Sequence, residues 1–430
     1  MSDRAFYDLE CVLVTGLVLV LGLLWLARSL QRSRPDLPLT LPLLAAFGLR
    51  VAAAGAVSLL PAAGALRGGD EDRFMELSRG LAESPIGSEP WTRAATQGFE
   101  EGGLHEWVIA LQFKWLDSPE FALRVTQAGI AAIAIALMAA AAYELAGRRA
   151  GMLAAWVLAL EPAGVFFSTL IHKEALLLAA GGLVAFGAAR LWRRPAVTPL
   201  LAMAAGCLLA LGTRPYIGWF LIAASLALAL HASLRLRGVT PLQSLGLALA
   251  VVVIGVLAAP FVWERSSQQG LNVLQSSQSA NATDTSNLRL ERVEYSSRAD
   301  LVTNLPRRVR DVMLRPYPWQ TGNLSQQLGV LGSLFALGIL VLAALAARRA
   351  GGQVMQRAGP LLYLGGAVLV AYALSVGNAG TGFRYRTHIV AFAVCTLAVL
   401  VDARRQESPA EAAPGAGWPV PAAPLGVGSK

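Results

Sequence analysis

Apolar residues fill long uninterrupted runs of this chain, and polar residues are confined to the stretches between them. Runs near the length that spans a bilayer, about 20 residues, fall near 11–29, 39–61, 121–146, 150–168, 174–191, 197–212, 216–233, 242–263, 326–347, 358–377 and 385–402. This pattern predicts an all-α polytopic membrane protein with about 11 transmembrane helices.

The intervening polar stretches alternate in character. Arg28, Arg32 and Arg34 follow the first run, Arg148 and Arg149 the third, and Arg190, Arg193 and Arg194 the fifth. Arg235 and Arg237 follow the seventh, Arg348, Arg349 and Arg357 the ninth, and Arg404 and Arg405 the last. Every second loop is thus rich in arginine, which places those loops in the cytoplasm, the N-terminus outside and the C-terminus inside. The remaining loops then face outward together. They carry the acids at 70–72, the turn from Thr169 to Glu174, the turn from Gly212 to Tyr216, the long stretch 264–325, and the turn from Gly377 to Arg386. Most residues able to do chemistry therefore share one face of the membrane.

The first outer loop, about 62–120, carries two amphipathic patterns. Phe74, Leu77 and Leu81 form one stripe of a helix over 70–83. Trp107, Val108, Leu111 and Trp115 form another over 104–117. Both helices are expected to lie on the membrane surface. Ser84 to Pro90 reads as a turn-rich connector. Asp70 stands at the start of the first helix after two glycines, where a carboxylate accepts from unpaired backbone N–H groups.

The organisation follows as five parts: an extra N-terminal helix and cytoplasmic loop (1–38), a transmembrane core with the outer loop 62–120 (39–263), an extracytoplasmic loop (264–325), C-terminal transmembrane helices (326–402), and a Pro- and Ala-rich tail expected to be disordered (403–430). Asn281-Ala282-Thr283 and Asn323-Leu324-Ser325 match the glycosylation sequon on the outward side.

Composition agrees. Of 430 residues, 55% are hydrophobic and 15% charged, and the mean hydropathy is +0.53. That excludes an ordinary soluble domain. The net charge is +9, but the cations are scattered through short loops without interleaved aromatics, so no nucleic-acid partner is expected. Cys11, Cys207 and Cys395 all lie in apolar runs and read as packing residues. The first apolar run has no small-residue cleavage site after it and reads as a retained helix.

Several charged residues stand out against this background. Arg50 lies midway along the second run, where a charge costs about 2.5–3.5 kcal/mol on insertion scales. It should face the bundle interior, either paired with Glu161 or reaching substrate. Pro162 should kink the fourth run. His172 has no second histidine at metal spacing. Glu174 can pair with Lys173 or Arg214.

The outer loop resembles a known class. Asp70-Glu71, with the aromatic Phe74 three residues after the glutamate, opens a surface helix in the first large outer loop. Trp115-Leu116-Asp117-Ser118-Pro119-Glu120 ends the second surface helix, and Phe121-Ala122-Leu123-Arg124 follows. Together with Tyr143 to Gly147, Leu158 to Pro162 and Lys173 to Ala175, these segments resemble the GT-C integral membrane glycosyltransferases of the protein-mannosyltransferase and aminoarabinose-transferase kind. The likeness covers roughly 40–190, and Arg384 and Arg386 more loosely. Phe74 stands where that class commonly has tyrosine, and one helix precedes its usual first.

The resemblance implies an inverting transferase at the extracytoplasmic face, in a bacterial inner (plasma) membrane. Its donor would be a polyprenyl-phosphate-linked sugar, its acceptor a cell-surface glycan or lipid, and its surroundings membrane lipids. Asp70 is implied as general base, with Glu71 second and Asp72 beside them. Lys173, Arg214, Arg384 and Arg386 would meet the phosphate, with His172, Glu174 and Arg50 near the substrate. No cofactor is assigned; the carboxylates can act with or without a divalent metal ion. Two other readings stay open: an O-antigen-type polysaccharide polymerase or ligase, which would rely on Arg384 and Arg386, and a lipid or solute transporter, for which Arg50 and Glu161 would line the pathway.

Overall fold

The computed structural model describes residues 3–60, 69–97, 103–194, 196–235, 290, 298–320 and 324–407. The run near 242–263, the first part of the 264–325 loop, the sequon Asn281-Ala282-Thr283, Asn323 of the second sequon and the tail from 408 lie outside the described residues. Among the described residues every regular element is helical. Among the described residues, seven helical runs are long and apolar enough to cross a membrane. One of them, Gln326–Ser375, is interrupted by a single tight turn at Gly351–Gln353 and forms two helices, Leu324–Ala350 (α13) and Val354–Ser375 (α14).

The centre of the bundle is α6, Glu120–Ala146. Its many alanines, among them Ala128, Ala132, Ala136 and Ala140, are fully buried and let neighbouring backbones approach closely. Against it pack α1 (Asp3–Ser33), α2 (Thr40–Leu59), α7 (Arg148–Leu160), α9 (Glu174–Arg193) and α15 (Ala379–Glu407). Beyond α9 lie α10 (Val197–Thr213) and α11 (Pro215–Arg235). A Cβ on Gly206 of α10 would stand 2.7 Å from the Ala180 carbonyl of α9, so that crossing requires glycine. Helix α1 is peripheral: Leu13, Leu17, Leu21 and Trp25 point outward, as they would toward lipid.

The run read as one span over 150–168 is two helices. After α7, the chain breaks at Glu161 and resumes as the short α8, Pro162–Phe167. Pro162 sits at the first position of α8, where its missing N–H costs nothing. The Glu161 carboxylate accepts from the Ala163 and Gly164 amides, the former at 3.1 Å. Arg50 answers the other side of the break. It donates to the Leu158 and Ala159 carbonyls at 3.3 Å, to Ala46 at 3.1 Å and to the Ser168 hydroxyl at 2.9 Å. Arg50 therefore satisfies carbonyls left over at the end of α7, in place of a direct pair with Glu161 or a place in the cleft described below. Glu161→Ala is expected to cost about 0.5–2 kcal/mol of stability, as other cap losses do; a thermal melt in detergent would measure it.

Two sets of helix ends separate as the loop alternation requires. Arg34 pairs with Glu144, Arg193 donates to Leu145 O, and Trp192 donates to Gln356 O. Those contacts gather arginine-rich loops at one end of the bundle. At the other end lie, among the described residues, three loop helices, not the expected two: α3 (Gly69–Glu83), α4 (Glu89–Gln97) and α5 (Leu104–Leu116). The added one, α4, begins within the stretch read as connector. Pro90 occupies its first turn, and its Trp91 is buried edge-on against Trp107 of α5. Within the 264–325 stretch, α12 (Arg298–Leu314) is a helix that packs on α14 and α15.

Candidate active site

Helix α3 starts at Gly69, so Asp70, Glu71 and Asp72 all lie in its first turn. Acids there are favoured by the unpaired N–H groups and the helix dipole. Successive residues on a helix point about 100° apart, and the three acids diverge accordingly.

Glu71 points inward and has no exposed surface. Its carboxylate pairs with Arg124 of α6 at 2.8 and 2.9 Å and accepts from the Ile171 amide at 2.7 Å. Arg124 also meets Glu120 at 2.6 Å. These bonds tie α3 to α6 and to the turn before α9. Burial raises the Glu71 carboxyl against the pull of Arg124 and the Ile171 amide. Asp72 points out to solvent, along a shallow surface shared with Glu76 and Arg79.

Asp70 faces the cleft, with 57% of its side chain exposed. Arg384, at the start of α15, donates to it at 2.9 Å and to His172 Nδ1, also at 2.9 Å. A guanidinium has only donors, so Nδ1 of His172 must hold a lone pair and its ring proton must sit on Nε2. Partial burial alone would raise the Asp70 carboxyl; the charge and hydrogen bond of Arg384 outweigh burial and hold it below the usual carboxylate range.

Phe74, one turn along α3, stands among the basic groups. Its ring is edge-on to His105 at 5.2 Å and to His172 at 6.2 Å, and Lys173 Nζ lies 5.2 Å above it. Lys173 precedes α9 and pairs with Glu106 of α5 at 3.2 Å. Burial lowers the Lys173 ammonium, which Glu106 partly offsets. His105 is fully buried beside Gln127, and burial together with Lys173 keeps it far below its ordinary value, so it is neutral. Arg214, between α10 and α11, pairs with Glu174 at 2.9 Å and lies 4.1 Å over the Tyr385 ring.

Asp70, His172, Lys173, Glu174, Arg214 and Arg384 thus come together at one end of the bundle. Arg386 does not join them. It lies two residues beyond Arg384 on the same helix, a spacing that turns it to another face. There it donates to Val312 O at 2.9 Å, to Ser333 Oγ and to Arg315 O. Arg124, His105 and Glu106 were not expected at the site. Arg124 carried a signal, since a charge at the start of a spanning run needs a partner. His105 and Glu106 carried none.

Among the described residues, no three His, Cys, Asp or Glu side chains converge as metal ligands.

Residues 101–261 match the family model described as dolichyl-phosphate-mannose-protein mannosyltransferase, a family of the GT-C superfamily. No curated protein and no solved structure matches. The matched region runs from α5 through α11 and holds His105, Arg124, Lys173, Glu174 and Arg214; Asp70 and Arg384 lie on either side of it. The match covers less than half of the chain; over that region the chain is similar to membrane glycosyltransferases of the GT-C type, and its spanning helices agree with that likeness.

Proposed function

We propose that this enzyme moves a sugar from a polyprenyl-phosphate donor to a cell-surface glycan or lipid, at the extracytoplasmic face of a bacterial inner membrane, with inversion and with Asp70 as general base. The observation that carries this reading is the Asp70–Arg384–His172 chain. It sets one solvent-facing carboxylate beside a cation, with Lys173 and Arg214 close by.

In the reaction, an acceptor hydroxyl attacks the anomeric carbon from the face opposite the phosphate. The new C–O bond forms as the bond to the phosphate oxygen breaks. Asp70 takes the hydroxyl proton, and polyprenyl phosphate leaves with the bonding electrons. Cations stabilise the charge that develops on the phosphate. Arg384 has a double part. In the structure it is held by Asp70. A donor phosphate competes for it, and as Arg384 turns to the phosphate, Asp70 gains proton affinity. The base is thereby strongest when donor is bound. Glu71 and Arg124 fix the helix that carries Asp70. Arg386, bound to backbone, gives the polymerase or ligase reading little support.

The test is transfer of radiolabelled sugar from a set of polyprenyl-phosphate sugars to an extracted glycolipid pool. Transfer by the purified protein is the expected result; chain extension with lipid-linked oligosaccharides alone would point to the polymerase or ligase. Arg384→Gln is expected to raise the donor KM about tenfold or more, the scale of a charged hydrogen bond. It should also move the acidic limb of kcat/KM to higher pH. The sign follows from the contact: Asp70 must be ionised to act, Arg384 favours the ionised form, and its loss lifts the pH below which the base is protonated. A pH profile of kcat/KM checks it.

A further inference from the structure

A groove of about 600 Å³ runs between α3, α4 and α5, within the range of small-ligand sites. Its walls include Arg73, Phe74, Leu81, Arg93, Glu106 and Lys173. Its inner end is Phe74 and Lys173, one helical turn from Asp70. The groove thus adjoins the Asp70 site through Phe74 and Lys173, while Asp70, His172 and Arg384 themselves do not line it.

The lining says what fits. Arg93 is paired with Glu89, and Lys173 with Glu106 at 3.2 Å. Two of its three cations, Arg93 and Lys173, are thus matched by carboxylates, which leaves Arg73 and suits a neutral polar ligand better than a phosphate or an acyl chain. What remains is a set of donors and acceptors beside Phe74, Leu77, Leu81 and Pro90. Sugars present hydroxyls around their edges and C–H groups on their faces, and they match such a surface. Gly80 points the same way. It lies inside α3, where glycine costs about 1 kcal/mol relative to alanine. Yet a Cβ there would meet nothing within 4 Å, so packing does not require it. Gly80 lines the groove, at its border with the shallow surface of Asp72, Glu76 and Arg79, and a large side chain in its place would narrow the groove.

We propose that this groove seats the saccharide portion of the acceptor, so that the acceptor is a glycan whose reactive hydroxyl is delivered past Phe74 to Asp70. This rests on the transferase reading above, and names its acceptor class.

Calorimetric titration of the full-length protein in detergent tests it, with mannotriose, cellotriose, chitotriose and inorganic phosphate as probes. At least one trisaccharide should bind wild type. Gly80→Trp should weaken that binding about tenfold or more and raise the acceptor KM without changing the donor KM. Arg93→Ala, at an exposed position, should weaken binding in the same direction and serves if Gly80→Trp melts early. Trisaccharide binding untouched by both variants, no binding by any trisaccharide, or binding of phosphate in place of sugar would each overturn the proposal. Sugar binding that is lost in the variants, in a protein that transfers from no polyprenyl-phosphate donor, would uphold the groove and sink the transferase chemistry instead.

Discussion

Asp70→Asn should lower the rate of sugar transfer by about 10²–10⁴-fold, the usual contribution of a positioned general base. Asparagine keeps the size of the side chain, and its carbonyl oxygen can still accept from Arg384. It cannot take up the acceptor's proton. The fold should be unaffected, because the Asp70 side chain is 57% exposed and reaches a single strong partner. The loss should fall on kcat, with the donor KM unchanged or lower, since Arg384 no longer has a carboxylate competing with the phosphate. The neighbouring acids provide the contrast. Asp72→Asn, on the solvent face with Glu76 and Arg79, should leave the rate within about twofold, as surface substitutions usually do. Initial rates with one donor and thermal melts of each variant decide the matter. A stably folded Asp70→Asn that transfers at the wild-type rate would remove Asp70 from the chemistry.

Arg124→Met should destabilise the protein by about 3–5 kcal/mol, because it strands the Glu71 carboxylate in a buried site without its cation. The Ile171 amide would still donate to Glu71, but one neutral donor does not replace a guanidinium bound at 2.8 Å. The functional consequence follows from the connection: Glu71 holds α3 against α6, and α3 carries Asp70. Activity should fall with the fold. Removing both charges is different. Arg124→Met combined with Glu71→Met should recover most of the stability, since a buried pair replaced by apolar side chains is often near neutral. Denaturant titration in detergent of Arg124→Met, Glu71→Met and the double variant gives the coupling. A single variant as stable as wild type would show that this pair does not hold α3 in place.

The sequence carried the architecture well where a long periodic signal existed. Runs at 11–29, 39–61, 121–146, 174–191 and 216–233 each became a long helix. The run at 150–168 did not, since hydropathy cannot see that Glu161 and Arg50 together satisfy a broken backbone. Helix α4 was missed because nine residues with few apolar positions look like a connector until Trp91 finds Trp107. At the site, Asp70, His172, Lys173, Glu174, Arg214 and Arg384 were all legible as polar residues in outward turns. Arg386 was legible in the same way, and wrongly grouped with them, because residues two apart on a helix share a loop in the sequence but not a face in the fold.

Two kinds of information therefore separate. Local pattern determined the helical class, the sidedness of the loops and the supply of acids and arginines at one end, because hydropathy and charge act on each segment independently. Only the tertiary structure decided which of three adjacent acids faces the cleft, which arginine reaches it, and that a groove opens beside Phe74. Those outcomes depend on contacts between residues 53 to 314 positions apart in the chain, and helix phase sets them only after α3, α6, α9 and α15 have packed.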